Sequence, residues 1–118
     1  MKKIIAILVI LTLCLTTLAY AQGLRARSSG LKTEDAAIAT VRGSLTGVLV
    51  ITDGTNAASI IVYDHATAAT GTVLFKGTIA GTANFGGATF GVSVRYMNGV
   101  YADIGGTGAS YIIYYSTD

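Results

Sequence analysis

The sequence is poor in the residues on which most catalytic and metal-binding chemistry depends. Among its 118 residues there is one histidine, His65, one cysteine, Cys14, and no tryptophan or proline. A single histidine and a single cysteine cannot build a zinc site of the usual nitrogen and sulfur ligands. Cys14 sits in an N-terminal segment expected to be removed, so the mature chain has no disulfide and must be held by its core or by assembly. The acceptor pattern Asn-x-Ser/Thr is also absent. Charged residues make up only 12%, and the formal net charge of +2 depends on Lys2 and Lys3; without them, six basic residues face six acidic ones. Such a chain has no basic surplus with which to attract nucleic acid. Low charge also leaves association between copies unopposed. What the chain does have is 52% apolar residues and 15 glycines. Its abundance of Gly, Thr, Ala, Val, Ile and Tyr suits pleated strands joined by tight turns.

The N-terminus reads as an address. Met1-Lys-Lys is a positive lead, residues 4–18 are an apolar run, and Ala19-Tyr20-Ala21 before Gln22 is a small-x-small cleavage pattern, the layout of a secretory signal peptide. Residues 1–21 are therefore expected to be cleaved between Ala21 and Gln22, with any membrane contact confined to that segment. Leu13 before Cys14 argues against a lipoprotein site. Residues 22–42 follow as a polar arm: Arg25, Arg27, Ser28, Ser29 and Gly30 offer little to bury, which predicts flexibility. Within it, Thr33-Glu-Asp-Ala-Ala resembles a helix start, with Thr33 as N-cap and Glu34 and Asp35 facing the helix dipole. A two-turn helix is marginal alone, and an extended lead-in over residues 38–42 is an equal alternative.

From Gly43 the pattern becomes regular. Apolar, β-branched and aromatic runs at 45–52, 58–63, 72–79, 88–96, 100–104 and 109–116 are separated by turn signals, among them the hairpin dipeptides Asp53-Gly54 and Asn98-Gly99, the second favouring two successive residues at positive φ. Phe90, Val92 and Val94 alternate with Thr89, Gly91 and Ser93, a one-sided strand pattern. Six or seven short strands in residues 43–118 predict an all-β fold, a compact antiparallel β-sandwich, Ig-like or jelly-roll-like. Gly54-Thr-x-Ala-x-x-Ile-Ile-x-Tyr63 recurs as Gly106-Thr-x-Ala-x-x-Ile-Ile-x-Tyr115. Both copies place a polar turn before a strand that is apolar on both faces. One face must enter the core and the other needs a cover, and tyrosine suits such a surface because it buries a ring while keeping its hydroxyl wet. Ile61, Tyr63, Ile112 and Tyr114 are the candidate subunit-interface residues.

Reactive constellations are sparse. Asp64 precedes His65 in an expected turn, but sequence neighbours point apart and no nucleophile motif accompanies them, so an exposed turn is the simpler reading than a general-base pair. Asp53-Gly-Thr-Asn56 offers oxygen atoms but lacks the alternating acids and distal glutamate of an EF-hand. Gly105-Gly-Thr-Gly108 is not followed by Gly-Lys-Ser/Thr and joins strands, so it is not a phosphate loop. No catalytic, cofactor-binding or metal-binding residue is assigned, and no enzyme activity is expected.

Leu45-Thr-Gly-Val-Leu-Val-Ile-Thr-Asp-Gly-Thr-Asn56, Ile60-Ile-Val-Tyr-Asp64, Gly71-Thr-Val-Leu74, Asn98-Gly-Val-Tyr-Ala-Asp-Ile104 and the closing Gly106-Thr-Gly-Ala-Ser-Tyr-Ile-Ile-Tyr-Tyr115 resemble small structural proteins of tailed bacteriophages. The resemblance spans residues 43–116 and implies a β-sandwich of the virion type, here with an added signal peptide; it transfers no functional residue. The expectation is a non-enzymatic structural protein that forms homo-oligomers or assembles with other virion or surface proteins. It would be secreted or displayed at the cell surface or periplasm, a virion place being the alternative. The rival reading is a secreted carbohydrate- or ligand-binding module with Tyr96 and Tyr101 as stacking platforms, a reading that the lack of tryptophan weakens.

Overall fold

The structure, a computed structural model, describes residues 4–7, 9 and 26–118. Residues 4–7 and 9 are helical, and no helix among the described residues is long and apolar enough to cross a membrane. The cleavage residues Ala19, Tyr20, Ala21 and Gln22 lie outside the described residues.

Eight strands follow: β1 (Arg27–Ser28), β2 (Ala36–Ala39), β3 (Gly43–Ile51), β4 (Ala58–Asp64), β5 (Thr72–Ile79), β6 (Phe85–Tyr96), β7 (Val100–Gly105) and β8 (Ser110–Thr117), with a 3-10 turn at Gly81–Ala83. They form two antiparallel four-stranded sheets, one in the order β1-β8-β3-β6 and the other β2-β7-β4-β5. In that order β1 pairs with β8, β2 with β7, β3 with β6 and β4 with β5. The chain is thus a long antiparallel ribbon rolled so that its partners alternate between two sheets, the topology of a jelly roll. Among the described strands only β4 and β5 are both consecutive and paired.

Two turn signals therefore act differently from the sequence expectation. Asp53-Gly54 joins β3 to β4, and Asn98-Gly99 joins β6 to β7; each connects strands of different sheets, so both are corners and neither closes a hairpin. At the second corner Gly99 has φ of 148°, and Asn98 is not among the residues with positive φ, so the paired positive angles of a two-residue hairpin are not formed. The arm also departs from expectation. Of the two alternatives for residues 33–42 the helix from Thr33 is not formed and the extended one is, starting earlier than expected, as Ala36–Ala39 lies along β7. Arg27–Ser28 pairs with Tyr115 and Tyr114, the Ser29 N–H donates to the Ile113 carbonyl, and Lys32 bridges Tyr111. Its side chains bury little, as the sequence implied. It is held through backbone groups that an apolar pattern does not reveal.

The core is built from both sheets: Leu45, Val48 and Val50 on β3, Ile60 and Val62 on β4, Tyr96 on β6, Val100 on β7, and Tyr111 and Ile113 on β8 are all buried. Each such side chain contributes about 1.5–3 kcal/mol relative to exposure. On β3 the inward positions change from odd to even numbers between Leu45 and Val48. The cause is a bulge at Thr46, where Leu45 pairs with Tyr115 and Gly47 with Tyr114 while Thr46 has no partner between them. The extra residue shifts the pleat by one and keeps both halves of the strand facing the core. It has a cost, because Thr46 Oγ1 is buried without a hydrogen-bond partner among the described residues. On the β6 side the same shift leaves residues 90–93 opposite Thr46 alone, and Phe90 meets Phe75 of β5 edge to face at 6.0 Å. That pair bridges the free edges of the two sheets.

The two echoing strands are not used alike. β4 buries Ala58, Ile60 and Val62, whereas β8 buries Tyr111 and Ile113, with Ala109 buried just before it. Ile60 and Ile112 match in the repeat, yet one faces inward and the other outward. A one-residue slip exchanges the faces of a strand, and only a strand apolar on both sides tolerates either choice. Ile60→Ala and Ile113→Ala should each cost about 2–5 kcal/mol, and Ile61→Ala less than about 1 kcal/mol, in chemical unfolding. A loss at Ile61 equal to that at Ile60 would show that the facing is wrong.

Candidate functional site: loop corners and outer sheet faces

The acidic residues that frame the first echo are occupied by the backbone. Asp53 Oδ1 accepts from the Thr55 N–H at 2.8 Å and the Asn56 N–H at 2.7 Å, and Oδ2 accepts from Asn56 Nδ2 at 2.7 Å. These bonds, the Asn56 backbone first, lower the Asp53 pKa from its usual carboxylate value. The second echo's turn packs on the first: a Cβ on Gly108, which has φ of 68°, would lie 2.8 Å from that of Asp53. The two glycine-rich turns thus form one closed corner, with Asp53 spent on its geometry.

Asp64 and His65 are likewise committed, and to different loops. The Asp64 carboxylate accepts from the N–H groups of Met97, Asn98 and Gly99 at 2.7–3.3 Å, which fixes the β6–β7 corner. His65 Nδ1 accepts from the N–H groups of Thr67 and Ala68 at 3.1 and 3.0 Å, so the side chain caps its own loop. No hydrogen bond joins the two side chains among the described residues. The arrangement does the work of corner-binding, with Asp64, at the end of β4, tying the β4–β5 hairpin to the β6–β7 corner.

Asp35 Oδ1 accepts from the Ile104 N–H at 2.8 Å. Partial desolvation, followed by the neighbouring Asp35, raises the Asp103 pKa. Among the described residues no group of three or more His, Cys, Asp or Glu is placed to hold a metal ion. Tyr96 and Tyr111 are wholly buried; their hydroxyls donate to the Ser116 and Glu34 carbonyls at 2.7 and 2.8 Å, and burial pushes both phenols up to about 12. Tyr96 is thus a core anchor and cannot stack on a sugar, which removes it from the carbohydrate reading; Tyr101 is half-buried.

The structure places all four candidate interface residues outward and divides them between two surfaces. Ile61 and Tyr63 lie on the outer face of the β2-β7-β4-β5 sheet, and Ile112 and Tyr114 on that of the β1-β8-β3-β6 sheet. The first surface is mixed: Ile61 lies between Lys76 and Asp103, and Tyr63 between Val73 and Tyr101. The second is more apolar. Leu49 pairs with Ile112 and Gly87, and Ile51 with Ser110 and Phe85; Phe85 is 68% exposed. Gly87 lies in the floor of an open trough of about 520 Å³ between Phe85, Leu49, Thr89 and Tyr114. At Gly87 the bare floor is obligatory, since a Cβ would lie 2.0 Å from the Val48 carbonyl oxygen. Arg95 with Asp118 and Arg42, and Arg27 on β1, lie at the opposite end of that sheet, while Lys32 bridges Tyr111 along the β8 edge. Sequence reasoning missed Leu49, Ile51 and Phe85. The bulge at Thr46 concealed which half of β3 faces out, and Phe85 sits inside a glycine-rich passage read as a connection.

These features define an all-β, antiparallel two-sheet sandwich. No family model matches the chain, and no curated protein or solved structure matches it.

The Asp64 geometry makes a specific prediction. Asp64→Ala should destabilise the fold by about 1–3 kcal/mol and accelerate amide exchange at Met97, Asn98 and Gly99 ahead of the rest of the chain. Unchanged exchange at those three amides would contradict the corner-binding role.

Proposed function

We propose that this is an exported, non-enzymatic structural protein that works by self-association, as a virion-type or cell-surface sandwich. The observation that carries the reading is the outer face of the β1-β8-β3-β6 sheet, where Leu49, Ile51, Phe85, Ile112 and Tyr114 cluster without a charged side chain between them. Contiguous apolar surface of this kind marks an interaction site more often than a passive exterior. Three features support it. The near-zero charge expected of the mature chain does not resist packing of copies. The aspartates and histidine in the glycine-rich corners are engaged in holding backbone. Finally, the jelly roll is a scaffold used by capsid and lectin domains alike, so the fold is compatible with the bacteriophage resemblance of residues 43–116 without selecting it.

Sedimentation velocity over a concentration series tests the proposal. The expected result is a reversible rise in mass above that of a single chain. A monomer at every accessible concentration would contradict it.

A further inference from the structure

The proposed function leaves open which surface makes the contact and with what geometry. Resting on that reading, we infer that the outer face of the β1-β8-β3-β6 sheet is a two-fold interface between two copies of this chain, in which Phe85 of each copy enters the trough over Gly87 of the other.

Self-complementarity is the main argument. A two-fold contact uses the same patch on both partners, so a patch that pairs with itself must carry both a projection and a matching recess. This face carries both. Phe85 projects with 68% of its surface exposed. Beside it lies an open trough of about 520 Å³ walled by Leu49, Thr89 and Tyr114, wide enough to receive an aromatic ring from outside. An axis passing beside Phe85 brings the two rings together and sets each into the partner's recess, an aromatic anchor in an apolar pocket.

Charge selects a copy of the same chain over a charged partner. The trough and its walls hold no ionic group, and a partner bearing lysine or aspartate there would leave that charge desolvated and unpaired. The opposite face offers Lys76 and Asp103 on either side of Ile61, which fits it less well to an apolar contact. The three long strands of the proposed face, about 4.8 Å apart with about nine residues at about 3.3 Å each, give a plan area of roughly 430 Å², about half of the ~800 Å² of accessible surface per partner in a standard interface, which is the size of a weak, reversible contact. Its layout, apolar around Leu49 and polar toward Ser44, Arg95 and Ser116, is the core-and-rim pattern of such contacts.

The test compares the unmodified chain with Phe85→Asp, Thr89→Arg and Val73→Asp by sedimentation velocity, with circular dichroism as a check of folding. All three positions are exposed; Thr89→Arg places a charge in the trough while leaving Phe85 intact, and Val73 lies on the other sheet. The expected result is a dimer for the unmodified chain and for Val73→Asp, and self-association weakened about a hundredfold or more in both trough variants. Persistence of the oligomer in either folded trough variant, or its equal loss in Val73→Asp, overturns this interface and leaves self-association standing. A monomeric unmodified chain overturns both.

Discussion

A strand that is apolar on both faces does not say which face belongs inside, and in this protein the pairing of β3 with β8 makes that choice. Leu45, Val48 and Val50 must all reach the core, although no flat strand can point residues of odd and even number to the same side. The bulge at Thr46 resolves the conflict. It also decides the exterior, because once Val48 and Val50 turn inward, Leu49 and Ile51 turn outward, beside Ile112 and Phe85. The apolar patch is therefore a direct consequence of how the core is filled.

The corners complete the argument. A jelly roll sends the chain between its sheets several times, and each crossing strands backbone N–H groups that no ladder can satisfy. Here side chains close them. Asp53 holds Thr55 and Asn56, Asp64 holds Met97, Asn98 and Gly99, and His65 holds Thr67 and Ala68. The residues that most resembled chemistry in the sequence are those that the topology consumes. Tyr96 and Tyr111 perform the same service from the core, with buried rings and hydroxyls bonded to the carbonyls of Ser116 and Glu34.

Much of the fold was legible because it rests on local pattern. The strand over 72–79 and the run 58–63 stand out through β-branched and aromatic residues, and their boundaries match β5 and β4 closely. The all-β class follows from their number. What was not legible depends on partners distant in sequence. The arm at Arg27–Ser28 adds to β8 through backbone groups alone, and Ala36–Ala39 is extended because β7 lies beside it. Asn98-Gly99 forms a corner and not a hairpin because Asp64, more than thirty residues earlier, binds its amides. Of the interface candidates, Ile112 and Tyr114 were visible as the second face of a doubly apolar strand, while Leu49 and Phe85 needed the bulge and the pairing to be known.

The account stands on the claim that the Leu49–Ile112–Phe85 surface is covered by a second copy. Isotope-filtered nuclear Overhauser spectroscopy on a mixture of labelled and unlabelled chains tests it most directly. The account predicts intermolecular contacts from the Leu49 and Ile112 methyls to the Phe85 ring. Intermolecular contacts that instead involve Ile61 and Tyr63, or none at all at concentrations where the chain is associated, would contradict it.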